Sequence, residues 1–249
     1  MRIILSGYGG HMGREVRACA ERMEDALIVA GVDPMAPADE ICVKSIADCK
    51  TEADVIIDFS HHSGTGALLE YAVAKKLPVV LATTGQTEEE KALITEASKQ
   101  IPIFLAANYS LGIATLTDLV KRAAALYPDG EIEIVEQHHD RKLDAPSGTA
   151  LSLFNAVKEV RPEAVANCGR SGQGKRTQDE VGIHAIRMGN IVDIHEVMIS
   201  TQNERISLKH EAFSRGVFAE GSLKAAAFLA GKAPGMYDMK DLLKEGTGI

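Results

Sequence analysis

The chain has 249 residues, 45% hydrophobic and 25% charged, the make-up of a soluble globular protein long enough for two modest domains. A net charge of −8 argues against a nucleic-acid or anionic-membrane surface, and no apolar run approaches the length of a membrane span. Four cysteines (Cys19, Cys42, Cys49 and Cys168) show neither a CxxC pair nor a zinc spacing, so reduced thiols in a cytoplasmic protein without a metal are expected.

Arg2-Ile3-Ile4-Leu5-Ser6 predicts a short strand, Gly7-Tyr8-Gly9-Gly10-His11-Met12-Gly13 a glycine turn, and the spacing of Val16, Ala20 and Met23 a helix. Strand, glycine turn and helix in that order are the context of a dinucleotide-binding fingerprint. Met12 occupies the last glycine position of G-x-G-x-x-G, so the fit is to G-x-x-G-x-x-G through Gly7, Gly10 and Gly13; a tight turn without ligand is the alternative. The next strand, Leu27 to Val32, ends on Asp33, about twenty residues beyond the glycines, where a carboxylate accepts hydrogen bonds from an adenosine ribose. Its charge would repel a 2′-phosphate, and Pro34-Met35-Ala36-Pro37 supplies no arginine or lysine to receive one. NADH is therefore favoured and NADPH is the second candidate, while a plain turn residue before proline is the structural alternative for Asp33.

Pro34 to Ala53 reads as a connection. Asp54 to Phe59 is a buried-type strand closed by Ser60-His61-His62-Ser63-Gly64, and a helix through Leu68, Leu69, Ala72 and Val73 precedes the strand Pro78 to Ala82. Glu88 to Ser98 reads as a helix and Ile103 to Ala106 as a strand. This alternation implies a Rossmann-like, doubly wound parallel sheet, with ligands beyond the carboxyl ends of its strands. Phe59-Ser60, Thr83-Thr84-Gly85 and Ala107-Asn108-Tyr109-Ser110 are then cofactor-facing loops; His61-His62 has no third ligand at a metal spacing and reads as a pair of loop histidines.

The pattern changes after Gly112. A helix from Ile113 to Tyr127 leads to a strand, Glu131 to Gln137, and Asn167 to Glu180 reads as a mobile loop. Ile183 to Met188, Ile194 to Thr201 and Arg205 to Lys209 follow as successive strands, the mark of a second, α+β domain with a mixed sheet. Ser214-Arg215-Gly216 begins a last helix that packs back on the first domain. The expected division is 1–109 with 216–249 for the dinucleotide domain and 110–215 for the substrate domain.

Between the strand at Glu131 and a helix through Leu153, Phe154 and Val157 lies Glu136-Gln137-His138-His139-Asp140-Arg141-Lys142-Leu143-Asp144-Ala145-Pro146-Ser147-Gly148-Thr149-Ala150. Histidine gives or takes a proton near neutrality, and strand geometry turns His138 and His139 to opposite faces. Pro146-Ser147-Gly148-Thr149 has the form of a helix first turn, whose N–H groups suit an anion. Lys142 adds a positive charge. A small substrate with carboxylates fits this set; a solvated loop with a capped helix is the plain alternative.

Taken with the glycine turn, this stretch resembles the bacterial dihydrodipicolinate (4-hydroxy-tetrahydrodipicolinate) reductases, close to their E-x-H-H-x-x-K-x-D-A-P-S-G-T-A signature. Asp58-Phe59-Ser60, Thr83-Thr84-Gly85, Ala107-Asn108-Tyr109-Ser110 and Ser214-Arg215 add to a likeness that runs along the whole chain. The resemblance implies reduction of a cyclic dicarboxylate by a nicotinamide cofactor, a tetramerisation role for the second domain, and a homotetramer. It implies that His138 is the proton donor or acceptor and Lys142 a second donor, with His139, Gly148 and Thr149 on the substrate carboxylates. It implies cofactor contacts at Gly7, Tyr8, Gly9, Gly10, His11, Met12, Asp33, Ala82, Thr83, Thr84, Ala106, Ala107, Asn108 and Tyr109. Three departures stand out: Ala82 for a common glycine, Pro34 for a common basic residue, and Asp193-Ile194-His195 for a common Gly-Glu-His. Two other readings compete: a different nicotinamide-dependent amino- or hydroxy-acid dehydrogenase, and a non-catalytic NADH-binding sensor.

Overall fold

The computed structural model describes residues 1–36 and 41–247; Pro37, part of the loop read above, lies outside the described residues. In chain order its first elements are β1 (Arg2–Ser6), α1 (His11–Ala20), β2 (Leu27–Val32), β3 (Cys42–Val43), β4 (Val55–Asp58), α2 (Thr65–Lys75), β5 (Val79–Leu81), α3 (Glu88–Ser98) and β6 (Pro102–Leu105). Then come α4 (Leu111–Leu126), β7 (Glu131–His138), α5 (Gly148–Lys158), β8 (Val165–Cys168), β9 (Glu180–Arg187), β10 (Asp193–Ser200) and β11 (Arg205–Ala212). The last are α6 (Gly216–Phe228), β12 (Gly235–Tyr237) and α7 (Met239–Thr247). No described helix is long and apolar enough to cross a membrane.

The elements form two compact units, Met1–Leu111 with Arg215–Ile249, and Gly112–Ser214. The first holds a seven-stranded sheet in the order β12-β6-β5-β4-β1-β2-β3, every pair parallel. Its central strands carry continuous apolar runs (Ile3-Ile4-Leu5, Val55-Ile56-Ile57, Val79-Val80-Leu81), all buried, because helices cover both faces. One core joins Ile4, Ile56, Val79 and Ile103 with Leu68, Leu69 and Ala72 of α2 and Ile94 and Ala97 of α3. On α6, small residues allow close packing: a Cβ at Gly221 would lie 1.6 Å from the Tyr109 carbonyl oxygen. Connections run outward in opposite directions from β1 and β4, which makes their carboxyl ends the switch point of the sheet.

The second unit holds a mixed sheet, β11-β10-β7-β9-β8, with β10 antiparallel to β7 and β11, and β9 parallel to β7 and β8. Period two governs it. Ile132 and Ile134 of β7, Val181 and Ile183 of β9, and Val197 and Ile199 of β10 form one core with Leu116 and Val120 of α4 and Leu153, Phe154 and Val157 of α5.

Several local expectations need correction. The connection after Pro34 contains β3, which adds an edge to the sheet by pairing with β2. Asn167 to Glu180 is tied down rather than loose: it begins in β8, Arg176 binds the Glu133 carboxylate and the Ile132 carbonyl, and Arg170 pairs with Glu180. Glycine and serine content is a local signal, whereas the partners of Arg176 lie about forty residues away in sequence on β7. The helix at Gly216 is not the last element, since β12 and α7 follow it.

Candidate active site

In the first unit the glycines make a cradle of main chain. Gly7 has φ +79°, and a Cβ there would lie 2.5 Å from the Phe59 carbonyl oxygen; at Gly13 it would lie 2.2 Å from that of Gly7. The turn therefore packs against the end of β4 and under the start of α1. Gly10 is the N-cap of α1, with no side chain capping it, so the helix presents its first-turn N–H groups at His11 and Met12. Tyr8 turns inward, stacked under Arg17 (4.2 Å) and against Gly31, which leaves its backbone on the ligand side of the turn.

Asp33 ties this cradle to the end of β2. One carboxylate oxygen accepts Gly9 N–H at 2.9 Å, and the other accepts Met35 N–H at 2.8 Å and Ala36 N–H at 3.1 Å. Burial raises its pKa, but these bonds outweigh burial and hold it below the ordinary value. The residue is both the turn-former and the ribose candidate of the sequence reading. Lys44, absent from that reading, donates to the carbonyls of Pro34 (3.3 Å) and Ala36. A lysine thus stands on the loop that by its own sequence has none.

A second residue that sequence reasoning missed is Asp58. Wholly buried at the end of β4, it accepts the Ser60 hydroxyl at 2.6 Å and the Thr83 hydroxyl at 2.8 Å, and its carbonyl accepts Ala82 N–H at 2.9 Å. It joins two of the loops expected to face a cofactor; the signal was an acid directly after the apolar run Val55-Ile56-Ile57, at the carboxyl end of its strand. Thr84 is exposed beside it. In the third loop Asn108 accepts Ser110 N–H, and Ala107 is exposed with Ala106 half-buried before it. The Tyr109 ring is buried, and its hydroxyl donates to Leu81 O (2.8 Å), with Phe104 O at 3.1 Å. Its side chain braces β5 and β6, so a ligand would meet only its backbone.

In the second unit the apolar alternation of the sheet changes character at one end. On the face that carries Ile132 and Ile134, the next two positions of β7 are Glu136 and His138; on β10, Val197 gives way to His195 and Asp193. The register sets Glu136 beside His195 and His138 beside Arg187 of β9, with His210 of β11 beside His195. Glu136 is fully buried and accepts four hydrogen bonds: His138 Nδ1 (2.6 Å), both Arg187 amino groups (2.7 Å each) and Ser147 N–H (2.9 Å). Burial would raise its pKa; the bonds from His138, Arg187 and Ser147 prevail and bring it down to about 2.

His138 retains 6% exposure. Its Nε2 lies 3.7 Å from Asp193 Oδ2, an ion-pair rather than a hydrogen-bond distance. Burial would lower its pKa, yet Asp193 and Glu136 on either side raise it above the ordinary value, which favours the protonated form. Asp193 also meets His195 Nδ1 at 2.9 Å, and His195 Nε2 lies 3.0 Å from the Ser147 hydroxyl. Despite its burial, Asp193 is held well below the usual carboxylate range by these imidazoles. His138, Asp193 and His195 offer donor atoms within 4.8 Å of one another, but their mutual bonds and those to Glu136 and Ser147 account for that proximity without an ion.

Ser147 is also the N-cap of α5, its hydroxyl accepting Ala150 N–H at 3.2 Å. Gly148 is exposed in the first turn, with no atom within 4 Å of where a Cβ would stand, and Thr149 is half-buried beside it. That helix start is open to an anion. Half-buried His139 follows the end of β7, and Lys142 pairs with Asp144 at 2.8 Å on a loop whose Asp144 carbonyl is held by Arg187. Lys142, paired with Asp144, stands outside the bonded ring around His138. Asp193 and His195 belong to it, although the sequence had marked them only as a departure.

Two family descriptions cover nearly the whole chain: dihydrodipicolinate reductase N-terminus over residues 1–109 and dihydrodipicolinate reductase C-terminus over residues 112–243. The 4-hydroxy-tetrahydrodipicolinate reductase of Clostridium tetani is 47% identical over 98% of this chain and 97% of its own length. That of Caldanaerobacter subterraneus is 47% identical over 99% of each. Among solved structures, a dipicolinate-bound dihydrodipicolinate reductase from Paenisporosarcina superposes with a TM-score of 0.81 over 96% of this chain and 97% of that one, at 22% identity, which speaks to the shared fold.

Proposed function

Since the chain belongs to the dihydrodipicolinate reductase family, we propose that it reduces 4-hydroxy-tetrahydrodipicolinate to tetrahydrodipicolinate in the diaminopimelate route to lysine, with His138 as proton donor. The observation that carries the reading is an imidazole buried between two carboxylates that favour its protonated form, next to an open helix start. A sensor that only bound a nucleotide would have no use for it.

The residues of the first unit fit a nicotinamide dinucleotide. Gly7 and Gly13 leave room where any Cβ would strike main chain, Gly10 opens the α1 N-terminus to a pyrophosphate, and the Asp33 carboxylate suits a ribose. When bound, the cofactor supplies the hydride. Gly7 to Met12, Asp33, Ala82 to Thr84 and Ala106 to Tyr109 are proposed to hold it, the two tyrosines through their backbone. NADH is the proposed preference, on the charge of Asp33. In the second unit, the N–H groups at Gly148 and Thr149, with His139, are proposed to take the substrate carboxylates, and Lys142 to serve as second proton donor. Hydride addition leaves negative charge on the substrate, which His138 neutralises by giving up a proton.

The first unit is thus proposed as the dinucleotide domain and the second as the substrate-binding and tetramerisation domain of a cytoplasmic homotetramer. Half-buried Val135, Ile194 and Met198, on the sheet face opposite the core, support an assembly surface there.

The test is oxidation of NADH, with NADPH in parallel, on substrate generated in situ from pyruvate and aspartate semialdehyde by the preceding synthase. Turnover faster with NADH is expected, with kcat lowered about 10²- to 10⁴-fold in His138→Gln. A near-normal rate in that variant would remove His138 from its role, and faster turnover with NADPH would reverse the cofactor preference.

A further inference from the structure

We infer that Asp193 is a positioning residue for the proton step: held by His195 and Ser147, it keeps the proton on Nε2 of His138, the nitrogen that delivers it. This deepens the reading of His138 as proton donor and rests on it.

Nδ1 of His138 is capped by the fully buried Glu136 at 2.6 Å, so Nε2 alone can meet a substrate. Asp193 Oδ2 lies 3.7 Å from Nε2, close enough for strong charge attraction at low exposure and too long for a full hydrogen bond. The Nε2–H group can therefore turn to a substrate without first breaking a strong bond.

The direction of the Asp193 carboxylate is itself fixed. Ser147 Oγ accepts Ala150 N–H, so its own proton is available to His195 Nε2 at 3.0 Å. Whichever way the proton between Nε2 and Ser147 lies, His195 Nδ1–H donates to Asp193 Oδ1 at 2.9 Å. With Oδ1 engaged there, Oδ2 is presented to His138.

The charges facing His138 come from every strand and loop around it. Glu136 on β7 is offset by Arg187 on β9 through a two-pronged pair, and Lys142 is paired with Asp144 on the following loop. Asp193 remains with three imidazoles: His138, His195, and His210 of β11, whose Nδ1 is 3.6 Å from Oδ1. One proton among them balances the cluster. His138 stands against both carboxylates, so the proton rests there. In turnover the Nε2–H bond breaks as a bond from that hydrogen to the substrate forms, and the electron pair stays on Nε2. His138 is left neutral, with its other proton on Nδ1 against Glu136, and solvent water restores the first.

A donor must start protonated, so activity is present below the His138 pKa and falls as pH rises through it. Asp193→Asn removes the charge at nearly constant shape. It should move the alkaline limb of kcat to lower pH by about one pH unit or more, a loss of about tenfold beyond the limb. The NMR titration of the His138 imidazole in the free enzyme should move with it, and Asp193→Glu, which keeps the charge, should bring both back toward wild type. A limb and a titration that do not move in Asp193→Asn overturn the inference and leave His138 as the donor. Normal turnover in His138→Gln overturns the donor reading itself, which keeps the two failures apart. Should Asp193→Asn fail to fold, titration of the wild-type His138 decides: its pKa must lie above the ordinary histidine value, and one at or below that value refutes the assignment.

Discussion

Replacing Glu136 by Gln strips one charge from a side chain that is fully buried and accepts four hydrogen bonds. Each carboxylate oxygen faces two donors: Oε1 takes Ser147 N–H and one Arg187 amino group, Oε2 takes His138 and the other. Whichever way the glutamine amide turns, its NH₂ meets two donors, and Arg187 loses its counter-charge. Two routes give the size of the loss. The Glu136 pKa falls from 4.5 to about 2 in the fold, where bonds from His138, Arg187 and Ser147 outweigh burial, and that difference corresponds to ~3 kcal/mol. Removing one partner of a buried ion pair destabilises by about 3–5 kcal/mol. Because the folded pKa is depressed, the stabilisation is complete above the unfolded value and is lost as pH falls through the folded one. Urea denaturation followed by circular dichroism at about pH 7 and about pH 3.5 checks both magnitude and sign: the variant's deficit should be ~3 kcal/mol or more at the first and clearly smaller at the second. A deficit below about 1 kcal/mol at neutral pH, or an equal deficit at both, would refute the reasoning.

Gly13→Ala places a methyl group 2.2 Å from the Gly7 carbonyl oxygen and 2.6 Å from that of Tyr8. The main chain cannot yield as a side chain would, so a loss of about 1–3 kcal/mol should exceed the ~1 kcal/mol by which alanine favours a helix; a raised melting temperature would contradict this. Lys44→Ala removes a cation bonded to the Pro34 and Ala36 carbonyls on the loop after β2. It should raise KM for NADPH about tenfold, the worth of one charge-assisted bond, and leave KM for NADH within about twofold, as paired steady-state assays would show. Equal effects on both cofactors would place the 2′-phosphate elsewhere.

The doubly wound sheet was legible because its signal is local: runs such as Val55-Ile56-Ile57, cut by glycine and serine at each carboxyl end, announce themselves without knowledge of the rest. The same holds for β7, whose alternation continues from Ile132 and Ile134 into Glu136 and His138. Strand β3 and strand β12 were not legible, since two or three residues hold no period and exist as strands only through their partners β2 and β6. Within the candidate site, contiguous residues could be read together, and residues joined by register could not. Asp193 and His195 stand more than fifty positions from His138 and reach it only because β10 pairs with β7. Lys44 was missed for the same reason, as it enters the β2 loop from across the β2–β3 pair. At Tyr109 the motif could not tell backbone from side chain: the ring holds two strand ends together, which leaves the main chain for the proposed cofactor contact.

The glycine turn of the first unit, proposed to face the pyrophosphate, is built almost wholly from main chain, with Gly7, Gly10 and Gly13 serving by what they lack. The groups proposed to distinguish one adenosine ribose from another, Asp33 and Lys44, sit apart from it on the β2 loop, where the Lys44 side chain bonds to the Pro34 and Ala36 carbonyls. The proposed cofactor site is therefore modular: its preference would be rewritten by exchanging one or two side chains while the turn proposed to take the pyrophosphate is left as it is. The His138 cluster has no such modularity, because each of its members is also a structural partner of the next. A lineage, or an engineer, could change which reductant this enzyme draws on in a few steps, yet would have to rebuild four adjacent strands at once to change how it handles the proton.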